Sequence, residues 1–292
     1  MRPLRPLLLC LLAPLALQAC AAPMVAQQAA PDQAGSAALP SARHVALPVG
    51  GRTLDLSVFD AVGEPAAAIF LSHGAGSSPE RLAPLIGALQ EAGFVVLAPR
   101  HGDSLTIPEA EREDIRAAFI SRTADLNAVS AYAAELHPGL ALAGVGHSYG
   151  SLIALMGGGA LDPMFGARVP AMKAVVMFSS PGPIPGLTGT PGAYDTVAVP
   201  TLTITGPQDV AQPFAGDPQV QVAQFEALPE GDHTLLLVEG SDHSFVYGEE
   251  DGYDEAIALV TRFLLAKVAG DAEAAKRFDE ARSSERIEIR RR

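Results

Sequence analysis

The sequence predicts an α/β fold with a mostly parallel central sheet, antiparallel strands at its start and helices on both faces. Short apolar runs alternate with helical stretches along most of the chain, which is typical of strand–helix–strand units. The runs are almost continuously apolar, as expected for parallel strands buried on both faces. At 292 residues and 48% hydrophobic content, the chain is long enough for one large domain.

The predicted elements follow from local patterns. The first two strands form a hairpin, because Leu54, Leu56 and Val58 alternate with polar residues and Gly50-Gly51 fits a two-residue turn. Ser77-Ser78-Pro79-Glu80 has the spacing of a capping box and predicts a helix that ends before Gly93. The predicted strands are 45–49, 52–59, 66–72, 94–99, 140–146, 173–179, 200–205 and 234–239. The other predicted helices are 121–136, 148–156, about 219–228, and 254–268.

The first 19 residues predict an export signal. A basic start precedes an apolar run, 7–17, that is too short and too interrupted by proline to span a bilayer. Leu17-Gln18-Ala19-Cys20 resembles the bacterial lipobox, which makes Cys20 the candidate lipidation site and would anchor the chain in a membrane. Gln18 departs from the usual small residue, so an ordinary signal-peptidase cut near residues 19–22 is the alternative.

The location expected from this signal is the periplasm or the outer membrane of a Gram-negative-type bacterium, as an anchored lipoprotein. Secretion is an alternative, and retention in the cytoplasm is a third. Cys10 lies within the signal, so Cys20 would be the only cysteine of the mature chain and no internal disulfide is expected.

Three further segments are expected after the signal. Residues 20–43, rich in Ala, Gln, Pro and Ser, predict a flexible tether, and residues 44–270 predict the folded domain. Residues 271–292 are densely charged and predict a solvated helix or a frayed tail. The net charge of −13 argues against a nucleic-acid partner. No sequence motif for a metal or a cofactor is found, so neither is expected.

A G-x-S-x-G motif at residues 146–150 is the strongest functional signal. It lies between a predicted strand and a predicted helix, the arrangement of a nucleophile elbow with Ser148 at its centre. The turn is so tight that larger residues at the two glycine positions would collide with backbone, and the serine is held strained with its hydroxyl exposed. An ordinary serine at a helix N-terminus is the alternative interpretation.

An acid and a histidine follow in the order that such a nucleophile needs. Asp209 comes just after the predicted strand 200–205, and His243 lies in the loop after the predicted strand 234–239. Both therefore follow the carboxyl ends of strands, where sites in such sheets collect. His243 is the predicted base and Asp209 the group that orients it. The weaker candidates are Asp195 and Asp217 for the acid and His233 for the base.

The oxyanion donors are expected upstream. The predicted strand 66–72 ends in His73-Gly74-Ala75-Gly76, a glycine-rich loop of the H-G-x type. We assign the two donors to the backbone N–H groups of Ala75 and Tyr149, with Gly74 as the alternative for the first. A plain glycine turn is the other interpretation of the loop.

The order Ser148, Asp209, His243 resembles that of the α/β-hydrolase superfamily. The stretches 72–77 (SHGAGS) and 93–101 (GFVVLAPRH) are similar to its dienelactone-hydrolase-like and platelet-activating-factor-acetylhydrolase-like branch. The resemblance covers about residues 45–268 and implies a serine hydrolase. Dienelactone hydrolases have cysteine at the elbow, so Ser148 favours ordinary carboxylic esters over lactones.

The resulting hypothesis is an esterase for small acyl esters that forms an acyl-enzyme. Residues 180–199, rich in glycine and proline, are too short for a helical cap domain, and the lack of tryptophan disfavours polysaccharide esters. The alternatives are a peptidase or phospholipid deacylase with the same triad, or a binding lipoprotein without catalysis.

Four further polar residues have less certain roles. His101 and Asp103 follow the predicted strand 94–99 and are candidates to line the acyl pocket, as Gly74 is, although a role in the turn is the commoner one for such loop residues. Arg122 and Asp125 are three apart on a predicted helix, which suggests a pair with each other, at the surface or just behind the site.

Overall fold

The computed structural model describes residues 39–210 and 216–292. The predicted signal, Cys20 and most of the predicted tether lie outside these residues. All the described residues belong to one compact unit. Within them, no helix has the length and apolar character needed to cross a membrane.

A nine-stranded sheet, counted over the described residues, forms the centre of the fold. Its spatial order is β1-β2-β4-β3-β5-β6-β7-β8-β9. The strands from β4 through β3 to β8 are parallel, whereas β1, β2 and β9 pair antiparallel with their neighbours. The strands are β1 (Arg43–Val49), β2 (Arg52–Phe59), β3 (Ala67–Ser72), β4 (Phe94–Arg100), β5 (Leu142–His147), β6 (Met172–Phe178), β7 (Thr201–Thr205), β8 (His233–Val238) and β9 (Ile287–Arg291).

The eight predicted strands are all present, with bounds within two residues of those predicted. The hairpin turn at Gly50 and Gly51 has positive φ at both residues, 54° and 86°, which glycine adopts without a steric penalty. Residues 180–199 contain turns but neither helix nor strand, as expected for a fold without a large cap domain.

Helices cover both faces of the sheet. They are α1 (Ala83–Glu91), α2 (Ile115–Leu136), α3 (Tyr149–Gly157), α4 (Asp162–Phe165), α5 (Gln219–Glu226), α6 (Tyr253–Leu264) and α7 (Ala272–Glu280), and Leu265–Ala269 continues α6 as a π-helix. Within β3, Phe70 packs on the face covered by α2, α3 and α5, while Ile69 and Leu71 pack on the face covered by α1, α6 and α7. The continuous apolar runs are therefore explained by burial on both sides.

Two helix starts differ from the predictions. Helix α2 begins at Ile115 rather than at residue 121, because the Asp114 carboxylate accepts hydrogen bonds from Arg116 N (2.8 Å) and Ala117 N (2.9 Å) and caps the helix there. The predicted capping box is not formed. Ser77 Oγ, which would be the capping oxygen, makes no hydrogen bond to a described residue, and Ser78 makes no side-chain cap. The Glu80 carboxylate binds Arg100 at 2.8 Å instead.

The prediction of a solvated helix or a frayed tail for residues 271–292 was wrong for the part of the segment after Glu280. The segment forms α7 and then β9, which pairs antiparallel with β8 and closes that edge of the sheet. Ile287 is 1% exposed, and its side chain packs on the face of the sheet that is covered by α1, α6 and α7. The strand was missed because its two isoleucines alternate within a highly charged stretch. Charged residues are typical of edge strands, since they discourage pairing with another chain.

Candidate active site

Ser148 occupies the sharp turn between β5, which ends at His147, and α3, which begins at Tyr149. Its backbone has φ 52° and ψ −120°, a region that residues with a side chain rarely adopt. The strained elbow expected from the sequence is therefore present.

The two glycines of the motif are sterically required. A Cβ atom on Gly146 would lie 2.2 Å from Gly150 O, and one on Gly150 would lie 1.9 Å from Ser72 O. Both distances are far below van der Waals contact, and both contacts are to backbone that cannot move aside independently. The elbow can thus be built only with glycine at these positions.

His243 and Asp209 are brought together by the loops that follow β8 and β7. An isolated bridge between Gln208 and Asp242 continues the pairing of the two strands beyond their ends. The next residue on each loop is therefore beside its counterpart, and His243 Nδ1 lies 2.8 Å from Asp209 Oδ1.

The Asp209 carboxylate is completely buried and remains ionised. Burial alone would raise its pKa, but hydrogen bonds from His243, Ser179 and Thr205, together with the charge that His243 can carry, outweigh this and lower the pKa. Thr205 Oγ1 donates to Asp209 Oδ2 at 2.9 Å. A buried anion bound to one ring nitrogen favours the tautomer of His243 in which Nε2 is free to accept a proton.

His147 links the His243 loop to the elbow. Its ring lies against the His243 ring, with 4.9 Å between centroids, and its Nε2 donates to His243 O at 2.9 Å. Because His147 directly precedes Ser148, this contact places His243 beside the elbow. Ser148 is half-buried, and its hydroxyl makes no hydrogen bond to any described residue, so the structure contains the His–Asp bond but not a Ser–His bond.

The loop after β3 lies against Ser148. A Cβ atom on Gly74 would be 3.4 Å from Ser148 Cβ, so these two residues are neighbours. The Tyr149 N–H begins α3 and has no acceptor within the helix. The Ala75 N–H makes no hydrogen bond to a described residue. Both assigned donors are thus unused next to the serine.

The weaker candidates lie elsewhere. Asp195 and Asp217 are exposed, and the Asp217 carboxylate accepts a hydrogen bond from Gln219 N at 2.9 Å, at the start of α5. His233 is the first residue of β8, at the opposite end from His243, where its Nδ1 lies 2.9 Å from Thr201 Oγ1. In residues 39–210 and 216–292, no group of His, Cys, Asp or Glu side chains is arranged to hold a metal ion.

The suggestion that His101 lines a pocket was wrong. His101 is completely buried, and both ring nitrogens are engaged: Nδ1 lies 2.8 Å from Asp125 Oδ2, and Nε2 lies 2.9 Å from Ser72 Oγ. Burial, followed by the nearby charge of Arg122, holds its pKa well below the usual value. His101 is therefore a neutral structural residue behind β3.

The expected pairing of Arg122 with Asp125 was also wrong, since they bind different partners. Of the two expected locations, the one just behind the site was right and the surface was wrong, because both side chains are completely buried. Arg122 forms a two-pronged ion pair with Asp103, while Asp125 binds His101 and Arg52. The available signal was periodicity, because Arg122 and Asp125 share the buried face of α2 with Ala118 and Val129.

Comparisons with known proteins bear on the fold. No protein-family model matches the sequence, and no curated protein matches it either. One solved structure of similar fold is a dienelactone hydrolase from Anabaena variabilis ATCC 29413, with a TM-score of 0.59, 22% identity, and coverage of 78% of this chain and 99% of that one. The chain thus has the α/β-hydrolase fold and resembles a dienelactone hydrolase in structure, as the sequence motifs predicted.

Proposed function

We propose that this protein is a serine hydrolase that cleaves small carboxylic esters through an acyl-enzyme. The observation that carries the proposal is the strained Ser148 elbow beside an imidazole that is hydrogen-bonded to a buried, ionised carboxylate. A hydroxyl is a weak nucleophile unless a neighbouring base removes its proton, and this arrangement supplies the base and the group that orients it.

The residues of the site have defined roles in the proposed reaction. Ser148 Oγ attacks the ester carbonyl while His243 Nε2 takes the hydroxyl proton, and Asp209 stabilises the imidazolium that results. The N–H groups of Ala75 and Tyr149 donate to the oxyanion, and the positive end of the α3 dipole adds to their effect. His243 then protonates the leaving alcohol. Water attacks the acyl-enzyme carbonyl while His243 Nε2 takes its proton, and His243 returns that proton to Ser148 Oγ as the acid leaves.

The preference for small esters rests on the surroundings of the serine. Residues 180–199 form turns without a helical cap, so this segment does not place a large lid over the elbow. The dienelactone hydrolase of similar fold supports a hydrolase of this architecture. Serine rather than cysteine at position 148 favours an ordinary, open-chain carboxylic ester over a lactone.

Labelling with a fluorophosphonate tests the proposal. The wild type should react at Ser148, and Ser148→Ala should not react and should lose ester turnover by about 10⁴-fold or more. The matched control is Ser283→Ala, at an exposed serine between α7 and β9. Absence of labelling in the folded wild type would mean a binding protein without catalysis. Faster turnover of peptide amides or phospholipids than of short acyl esters would reassign the substrate.

We also propose that the protein is exported and anchored through a lipid on Cys20. The support is the sequence of the first 20 residues, which resembles a lipoprotein signal. Cells grown with radiolabelled palmitate should incorporate label into the wild type and not into Cys20→Ala. Cleavage near residues 19–22 without incorporation would indicate a freely soluble exported form.

A further inference from the structure

The side chain of Arg122 holds the loop that carries the first assigned oxyanion donor. Arg122 extends from α2 and is completely buried. Its Nη1 donates to His73 O at 2.6 Å, and its Nη2 donates to Gly74 O at 3.1 Å. One guanidinium thus binds two successive carbonyl groups of the loop.

Asp103 fixes both Arg122 and the far end of the loop. Its Oδ1 accepts from Arg122 Nε and its Oδ2 from Arg122 Nη2, each at 2.9 Å. The same Oδ2 accepts from Gly76 N at 3.0 Å. Burial alone would raise the pKa of Asp103, but the charge and hydrogen bonds of Arg122 lower it well below its usual range, so the pair is ionic.

Arg122 also contacts the residue that carries the second assigned donor. Its guanidinium carbon lies 4.8 Å from the centre of the Tyr149 ring, within the range of a cation–π interaction. A single buried cation therefore touches both Gly74, whose carbonyl precedes the Ala75 N–H, and Tyr149.

The orientation of the Ala75 N–H follows from the geometry of the peptide bond. Gly74 C=O and Ala75 N–H belong to one planar unit, and in a trans peptide they point in opposite directions. Because Gly74 O points inward to Arg122, the Ala75 N–H points away from the buried network. Ala75 itself is exposed.

We propose that Arg122 is a positioning residue that fixes the oxyanion site by orienting the peptide groups of the loop 73–76 and packing on Tyr149. This inference rests on the proposed function and deepens it. Lysine could not replace Arg122, because an ammonium is a point charge, whereas the planar guanidinium reaches two carbonyls and both carboxylate oxygens at once.

Arg52 provides a matched control. It reaches the same network from β2, where it binds the Asp125 carboxylate and donates to Ser121 O at 2.8 Å. It makes no hydrogen bond to the loop 73–76, whose residues are all described. Arg52→Lys therefore perturbs the same network without touching the loop, whereas loss of oxyanion geometry should occur only in Arg122→Lys.

The test compares ester turnover with the binding of a trifluoromethyl ketone, which forms a tetrahedral oxyanion adduct with an active serine. For Arg122→Lys we expect kcat to fall by about 10- to 100-fold, because small misplacements of catalytic groups have effects of this size. KM should change by less than about threefold, because the lost interaction acts on the transition state. The ketone should bind more weakly by the same factor as kcat falls, and Arg52→Lys should retain both values within about threefold.

Circular dichroism establishes that each variant is folded. If Arg122→Lys does not fold, Asp103→Asn, which keeps the size of the side chain but removes the charge that holds Arg122, should show the same loss of kcat and ketone affinity at constant KM. The inference about Arg122 would be overturned if Arg122→Lys, or Asp103→Asn in its place, had the same kcat and ketone affinity as Arg52→Lys. That outcome would leave the proposed function intact. A folded wild type without turnover or fluorophosphonate labelling would instead overturn the proposed function.

Discussion

Burial and hydrogen bonds set the protonation states of the side chains around Ser148. The Asp209 carboxyl stays ionised, because its hydrogen bonds outweigh the effect of burial on its pKa. His147 stays neutral, because burial, followed by the nearby charge of His243, lowers its pKa to about 3. A neutral His147 carries its proton on Nε2, where it donates to His243 O. Asp209 and His147 therefore each keep one protonation state, and the same hydrogen bond to His243, over the pH range where a histidine base operates.

Asp209→Asn tests the charge of the acid. The amide keeps the size of the side chain but cannot stabilise the imidazolium, so we expect kcat for ester hydrolysis to fall by about 10³-fold or more. Asp217→Asn is the control, since Asp217 is exposed and its carboxylate accepts a hydrogen bond only from Gln219 N, at the start of α5, among the described residues, and it should leave kcat unchanged. An Asp209→Asn enzyme with wild-type kcat would remove Asp209 from the proposed mechanism.

Strand β5, Ser148 and helix α3 form a turn whose backbone conformation requires particular residues at particular positions. The positive φ of Ser148 is maintained by the packing of the start of α3 against the end of β3, where the Gly150 Cα faces Ser72 O. The serine cannot relax without moving β3 or α3, and both are buried in the core. The packing of β3 and α3 thus offsets the free-energy cost of the strained backbone at Ser148.

Gly150→Ala should disrupt this element. The added methyl group would lie 1.9 Å from Ser72 O, so we expect the free energy of unfolding to fall by about 3 kcal/mol or more. Gly87→Ala is the matched control, because a Cβ atom at position 87 of α1 has nothing within 4 Å and alanine favours a helix by about 0.5–1 kcal/mol over glycine. Urea unfolding of the two variants should therefore give shifts of opposite sign.

The edge strand β9 allows a second test at this scale. Ile287 is 1% exposed, whereas Ile120, on the outer side of α2, is 75% exposed. We expect Ile287→Ala to lower the free energy of unfolding by about 2–4 kcal/mol and Ile120→Ala to change it by less than about 0.5 kcal/mol. Similar urea midpoints for the two variants would show that β9 contributes little to the stability of the sheet.

Over the whole molecule, the sequence predicts the parts of the fold that depend on local patterns. The apolar runs locate the parallel strands because each strand is buried on both faces, as Ile69 and Phe70 illustrate. The positions of Asp209 and His243 after β7 and β8 then bring them to one edge of the sheet, because parallel strands end at the same side. Their contact at 2.8 Å is the consequence.

The parts that the sequence does not predict depend on contacts between distant segments. The partners of Arg122 come from the loops after β3 and β4. The spacing of residues along α2 does not show that Arg122 binds these loops rather than Asp125. The burial of His101 likewise depends on the packing of α2 over β3 and β4. A charged residue on the apolar face of a helix is the available sign of such a network, because burial of a charge requires a partner.

The buried histidines predict acid sensitivity for the whole molecule. Burial is the largest cause that lowers the pKa of His73, His101 and His147, the last to about 3 from 6.5. Unfolding lets these rings bind protons, so stability present above pH 6.5 is lost as the pH falls below it. Asp125 and Glu250, whose pKa values burial raises to about 6 and about 7, act in the opposite direction but are two groups against three. The free energy of unfolding in urea should therefore be lower at pH 5 than at pH 7.

In His147→Gln the difference in unfolding free energy between pH 7 and pH 5 should shrink by about 2 kcal/mol. His44→Gln is the control and should retain the difference, because the His44 side chain is 58% exposed. An unchanged difference in His147→Gln would contradict the assignment of acid sensitivity to His147.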